Sequence, residues 1–270
     1  MSIASTLKYL WSAGWRTLGG QTRTVSDLKV RLDYEAAYEA LARQLPPEQA
    51  IGVAETTNWY DACGLIELGL LQMEGLRPTD TPVDFGCGNG RLALKAVPAL
   101  KGGAYIGIDI SDTMLREADR LVRKRIPHPS CSVRWIKQTG PAFPLPDASV
   151  DRMCAFSVFS HMEHEDTFRY LTDARRVIKP DGGFVFSCLH IRLALAREVF
   201  RHQASHDLKT RWRGVRNVVT TAELMETIAR MAGWEPLRWY PADKACIHLP
   251  SSDEWAGLGQ EACALKPAAT

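Results

Sequence analysis

The residues with the most chemistry to offer are two acids, three glycines and a pair of histidines. Asp84 stands just ahead of Gly86, Gly88 and Gly90 in VDFGCGNG, and Asp109 closes the apolar run AYIGIDI. Glycines this dense are unfavourable inside a regular element, so the stretch reads as a tight turn that something must approach closely. A turn with no ligand is the competing reading. The spacing D-x-G-x-G-x-G differs from the dinucleotide pattern G-x-G-x-x-G, because Arg91 stands where a third glycine would let helix pack on strand. No Lys-Ser/Thr pair follows, which excludes a phosphate-cradling loop. Asp84 would repel a pyrophosphate and suits an ammonium or sulfonium group. Asp109, at the next strand end, can accept both hydroxyls of a ribose. The pair points to a nucleoside that carries positive charge and no phosphate.

His161 closes CAFSVFSHM and His190 closes FVFSCLH, each at the mouth of a predicted strand. Near pH 7 a histidine is the usual base for a hydroxyl nucleophile. The competing reading is a strand-end histidine satisfied by backbone bonds. HMEHED gathers His161, Glu163, His164, Glu165 and Asp166, but it opens a helix, where acids favour the dipole anyway. No metal is expected there.

These groups need strands and helices to hold them. PVDFG, AYIGIDI, CSVRWIKQ, VDRMCAFSVF and FVFSCLH read as five strands. RLALKAV, which Pro98 should end or kink, DTMLREADRLVRKRI with Ser111 as N-cap, and EDTFRYLTDARRVI read as helices between strands. PDGG is expected to turn the chain into the fifth strand. The alternation predicts a parallel sheet with helical crossovers. TAELMETIARMAGW (a helix), EPLRWY and EACALKP (both strands) follow. Upstream, DYEAAYEALARQL and DACGLIELGLLQMEGL read as helices. Residues 1–78 are thus expected to form a helical N-terminal cap and residues 79–270 the main domain, with an insertion at about 191–220 that fits no sheet element.

The chain has 270 residues, 46% of them hydrophobic, and a net charge of +2. That balance gives no sign of a nucleic-acid partner. Seven scattered cysteines without a C-x-x-C pair read as reduced thiols in a cytoplasmic setting. The first 20 residues place Ile3, Leu7, Leu10, Trp11, Trp15 and Leu18 at helical spacing. They read as a helix packed on the domain, or alternatively as a peripheral membrane contact. The insertion carries Arg192, Arg197, Arg201, Lys209, Arg211, Arg213 and Arg216 against Glu198 and Asp207. It suits an anionic small-molecule acceptor or, more blandly, a solvated basic helix face.

VDFGCGNG, YIGIDIS, FPLPDASVDRMCAFSVFSHM and VIKPDGGFVFS resemble, in order, the motifs of class I S-adenosylmethionine-dependent methyltransferases, over about residues 58–267. The resemblance implies an α/β, Rossmann-like, doubly wound seven-stranded sheet whose last strand is antiparallel, with a helical N-terminal extension. It implies S-adenosylmethionine as cofactor, with Asp84, Gly86, Gly88 and Gly90 along its methionine part and Asp109 on the ribose. Ile110 and Met114 would flank the adenine, and Trp59, Tyr60 and Phe156 would join the cofactor site. The family often has an acid after the third strand that bonds the adenine amine; here Thr139 and Gly140 stand in that place. The residues around His161 are similar to those of small-molecule members, where a histidine faces the acceptor. The expected activity is methylation of a small-molecule hydroxyl, with a sugar or an anionic compound as candidate acceptor and His161 and His190 as catalytic candidates. An amine acceptor is the alternative, and a non-catalytic cofactor-binding or membrane-surface protein the second. An oxidoreductase is disfavoured by Asp84 and Arg91.

Overall fold

The computed structural model describes residues 57–211 and 216–269, together with Glu39, Arg43 and Gln44. The amphipathic segment over residues 1–20, almost all of DYEAAYEALARQL, and Arg213 lie outside the described residues.

Helix α1 (Thr57–Met73) precedes the first strand. Then follow β1 (Pro82–Phe85), α2 (Ala93–Ala99), β2 (Ala104–Asp109), α3 (Asp112–Arg125), β3 (Ser132–Lys137), β4 (Val150–Ala155), α4 (His164–Val177) and β5 (Ile178–His190). The chain continues through α5 (Ala194–Ala204), α6 (Leu208–Arg211), β6 (Val219–Thr220), α7 (Ala222–Met231) and β7 (Trp234–Tyr240). A small hairpin, β8 (Ile247–His248) with β9 (Trp255–Ala256), precedes β10 (Glu261–Pro267). The main sheet runs β3-β2-β1-β4-β5-β10-β7, with β10 antiparallel to both of its neighbours. The expected seven-strand path with an antiparallel last strand is therefore present.

Alternation along the strands divides the core. Tyr105, Cys154, Val185, Ala262 and Ala264 pack with α1, α2 and α3. Their neighbours Ile106, Met153, Phe184, Cys263 and Leu265 pack with α4 and α7. A period of two on strands buried on both faces yields two hydrophobic layers. Ser111 caps α3 by accepting from the Met114 N–H at 3.3 Å. Asp112 in its first turn and Arg123, Lys124 and Arg125 in its last suit the helix dipole.

Two expectations are corrected. PDGG does not form a free turn: β5 runs through it, with Val150 paired to Ile178 and Arg152 to Gly183, so the residues between are looped out as a bulge. A β-carbon on Gly182 would sit 2.8 Å from the Asp151 carbonyl oxygen, which explains the glycine. The 191–220 insertion does contribute a sheet element: Val219 and Thr220 pair in parallel with Leu189 and His190. Two residues are too short to show a period. Among the described residues, no helix is long and apolar enough to cross a membrane.

Candidate active site

The parallel strands deliver the predicted residues to one edge of the sheet. After β1 the chain turns sharply, and the N–H groups of Gly86 and Cys87 both donate to the Ile108 carbonyl, at 2.7 and 3.1 Å. Gly86, Gly88 and Gly90 have φ of 75°, 54° and 87°, all in the left-handed region. Part of the close approach comes from the protein itself. A β-carbon on Gly86 would lie 2.3 Å from Val158 Cγ2, in the turn after β4. One on Gly90 would meet Ala118 of α3 at 3.1 Å.

Asp109 lies at the end of β2, buried, where its carboxylate ties two loops together. One oxygen accepts from Gly88 N–H and the other from Ser111 N–H, both at 2.9 Å. Asp84 is buried in β1, where it accepts from the Tyr105 hydroxyl at 2.5 Å and faces the Cys154 thiol at 3.6 Å. Burial pushes its carboxyl up to about 7, against the lowering effect of the Tyr105 hydroxyl.

The residues expected around the cofactor fall into distinct places. Tyr60 is fully buried and donates to Asn89 Oδ1 at 2.9 Å, so it braces the glycine turn from α1. Trp59, one residue earlier, has a buried indole N–H with no hydrogen-bond partner. Phe156 is buried in the layer below α1, and Met114 is buried in the first turn of α3, one turn on from Ile110. Thr139 is exposed. Gln138, one residue before it, is buried. Its Nε2 donates to the Gly140 carbonyl at 2.7 Å, and its Oε1 has no partner.

At the acceptor side, a single 3-10 turn (Phe159–His161) follows β4. His161 Nδ1 lies 2.8 Å from the Arg216 carbonyl oxygen. A carbonyl only accepts, so Nδ1 carries the proton and Nε2 the lone pair. Burial lowers the pKa of this ring, against the raising effect of the carbonyl bond, and keeps it neutral near pH 7. His190 is held the opposite way. Its Nδ1 accepts from the Arg192 N–H at 3.1 Å, which places the proton of its neutral ring on Nε2. His164 Nε2 meets Thr220 Oγ1 at 3.1 Å.

Several site residues were not visible in the sequence. Ser157 has φ 58°, a strained value for a residue other than glycine. It is held by a ring of bonds: its N–H donates to Ser187 Oγ (2.8 Å), Ser187 Oγ to Gln260 Oε1 (2.9 Å), and Gln260 Nε2 to Ser157 Oγ (2.7 Å). Arg91 forms a two-point pair with Glu67 of α1, the Nε–Oε2 arm at 3.2 Å. Burial raises the Glu67 carboxyl, and the Arg91 charge opposes that rise. The one signal for this pair was a lone acid inside the apolar run LIELGLL.

Much of the basic insertion is engaged internally. Arg192 bridges Asp243 and Glu261, Arg216 pairs with Glu163 at 2.8 Å, and Arg197 donates to the carbonyls of Ile191 and Arg192.

Residues 83–182 match the family described as a methyltransferase domain, and the match holds both strand-end acids, the glycine turn and His161. Over 113 residues the chain is 30% identical to 2-phytyl-1,4-naphtoquinone methyltransferase of Trichormus variabilis, covering 42% of this chain and 48% of that one. Over 165 residues it is 28% identical to an uncharacterized methyltransferase of Schizosaccharomyces pombe, covering 58% of this chain and 54% of the relative. The chain thus spans about half the length of the curated relatives it matches. In fold it is similar to magnesium protoporphyrin IX methyltransferase of Synechocystis, solved with bound S-adenosylhomocysteine. There the TM-score is 0.61 at 14% identity, over 90% of this chain and 99% of that one. At that identity the likeness speaks for the fold alone.

Proposed function

We propose that this domain is an S-adenosylmethionine-dependent methyltransferase acting on a hydroxyl of a small molecule, with His161 as the general base. The cofactor reading rests on how the residues fit that group. The glycine turn keeps side chains off the backbone, and Asp84 offers a buried negative charge for an ammonium. Asp109 stands at the ribose position beside Gly88. The unpartnered Gln138 Oε1 is an acceptor suited to an adenine amine, and the unpartnered Trp59 N–H a donor suited to a carboxylate. S-adenosylmethionine, when bound, supplies an electrophilic methyl on a sulfonium.

The observation that carries the hydroxyl reading is the tautomer of His161. The Arg216 carbonyl holds the ring proton on Nδ1, so Nε2 is the nitrogen whose lone pair suits the proton of an attacking hydroxyl. His190, with its proton on Nε2, serves as a donor rather than as a second base. An amine acceptor can attack without such a base, so this arrangement favours oxygen. For a small-molecule acceptor in general, support comes from the relative named for a naphthoquinone.

The test is turnover of a hydroxyl acceptor, followed as S-adenosylhomocysteine formation across pH. A rising limb is expected with its midpoint below the ordinary histidine value of 6.5, in line with the lowered pKa of His161. His161→Ala should lower kcat by about 10²–10⁴-fold and remove that limb, whereas His190→Ala should keep it. Full kcat in His161→Ala would refute the assignment.

A further inference from the structure

Buried polar atoms without partners are few in native proteins. Two of those among the described residues, Ser160 Oγ and Asn217 Oδ1, belong to residues next in the chain to the proposed base and to the residue whose carbonyl it bonds. Ser160 is 1% exposed and Asn217 7%. Their two segments run side by side: Val218 N–H donates to the Ser160 carbonyl at 2.8 Å, and the Arg216 carbonyl takes the His161 Nδ1 proton at 2.8 Å. Asn217 lies between those two bonds in the chain, and Ser160 directly precedes His161. Neither residue is required to be polar by this backbone pairing.

We propose that Ser160 and Asn217 form, with His161, a polar subsite for a second hydroxyl of the acceptor, so that the acceptor is a vicinal diol of the catechol or sugar type. This deepens the O-methylation reading and rests on it. Asn217 Oδ1 accepts only, so its partner must donate; the Ser160 hydroxyl both donates and accepts. One hydroxyl satisfies both, giving its proton to Asn217 and taking that of Ser160. The adjacent hydroxyl then presents its proton to His161 Nε2. A mono-ol can engage the base or the pair, but not both. A ketone beside the reacting hydroxyl has no proton for Asn217. A site built to bond a substrate hydroxyl discriminates strongly against analogues that lack it, because its own buried groups are then left unpaired.

The experiment uses the full chain with S-adenosylmethionine and two matched pairs of acceptors, catechol against phenol and cis-1,2-cyclohexanediol against cyclohexanol. Binding of S-adenosylhomocysteine is measured first by calorimetry. In at least one pair the diol should exceed the mono-ol in kcat/KM by about 100-fold or more. Asn217→Ala and Ser160→Ala should each cut that ratio to below about tenfold, chiefly through the KM of the diol. Asn217→Asp keeps an acceptor oxygen and should hold more of the preference than Asn217→Ala. The proposal is overturned if neither diol is methylated, if diol and mono-ol react alike, or if the ratio is untouched in variants that still bind S-adenosylhomocysteine. If the alanine variants fail to bind it, Asn217→Asp and the wild-type ratio decide. A wild-type chain that binds no S-adenosylhomocysteine refutes the methyltransferase reading itself, a different failure from binding without diol preference.

Discussion

Asp84 gives the sharpest quantitative expectation. Its carboxyl is raised from 3.8 to about 7 by burial, and a cationic ligand should select its ionised form. With a pKa near 7, about one molecule in ten is ionised at pH 6 and about nine in ten at pH 8. The apparent Kd for S-adenosylhomocysteine should therefore be about tenfold weaker at pH 6 than at pH 8, through the population of the competent form alone. Tyr105→Phe removes the hydroxyl that holds the ionised form, so its inflection should move to higher pH and its affinity at pH 7 should fall. Asp84→Asn should bind without an inflection. The unliganded chain carries the same term in its stability. A folded-state pKa raised above the unfolded value means that the native state keeps its proton longer. This group therefore costs nothing below about pH 4, and its cost grows as pH rises towards 7 and levels off just above it, at about 4 kcal/mol for a shift of about three units. Calorimetric titration from pH 5.5 to 8.5 measures the binding term, and urea unfolding at pH 4.5 and 8 the stability term. A Kd flat across that range, or an inflection that survives Asp84→Asn, would refute the reasoning.

Three further outcomes follow from the same geometry. Gly86→Ala places a β-carbon 2.3 Å from Val158 Cγ2 on a backbone with φ 75°, so it should weaken S-adenosylhomocysteine binding and lower unfolding free energy; adding Val158→Ala should recover the steric part and leave about 1–2 kcal/mol of backbone strain. Arg91→Ala strands Glu67 in the core and should cost about 3–5 kcal/mol in urea unfolding, whereas Arg91→Met combined with Glu67→Leu should lie much closer to wild type. Gln138→Leu should narrow the preference for S-adenosylhomocysteine over S-inosylhomocysteine, which lacks the amine that Oε1 would accept, by about tenfold in relative Kd.

The alternation of strands with helices and the glycine turn were legible because they rest on local signals. Strands buried on both faces read as short apolar runs, and the helices between them carry a 3.6-residue period and a serine cap. Gly86, Gly88 and Gly90 declared a backbone conformation that only glycine adopts cheaply, and all three have positive φ. The misses are long-range. Nothing near Asp84 in sequence announces Tyr105, 21 residues away, and nothing near Arg91 announces Glu67 on α1. Thr139 was named from its position in a motif, but whether it or Gln138 turns inward depends on the pleat at the end of an edge strand. The charge count of the insertion was correct as a count. It overstated what an acceptor would meet, because Arg192 and Arg216 are already paired within the fold.

The two strand-end histidines show the same limit in its most chemical form. In sequence they look alike, each closing an apolar strand. What separates them is the segment at 216–220, which lies between the turn after β4 and the end of β5. Its first carbonyl takes the Nδ1 proton of His161, and its last residue pairs with His190 in β6. The backbone of Arg192, by contrast, gives a proton to His190 Nδ1. One ring is thereby held with its outer nitrogen as an acceptor and the other with its outer nitrogen as a donor. Under the proposed O-methylation the first ring is suited to take a proton and the second to donate one, a difference that no count of histidines conveys. The insertion, which as a run of arginines suggested an anionic substrate, also supplies the Arg216 carbonyl that fixes the tautomer of His161.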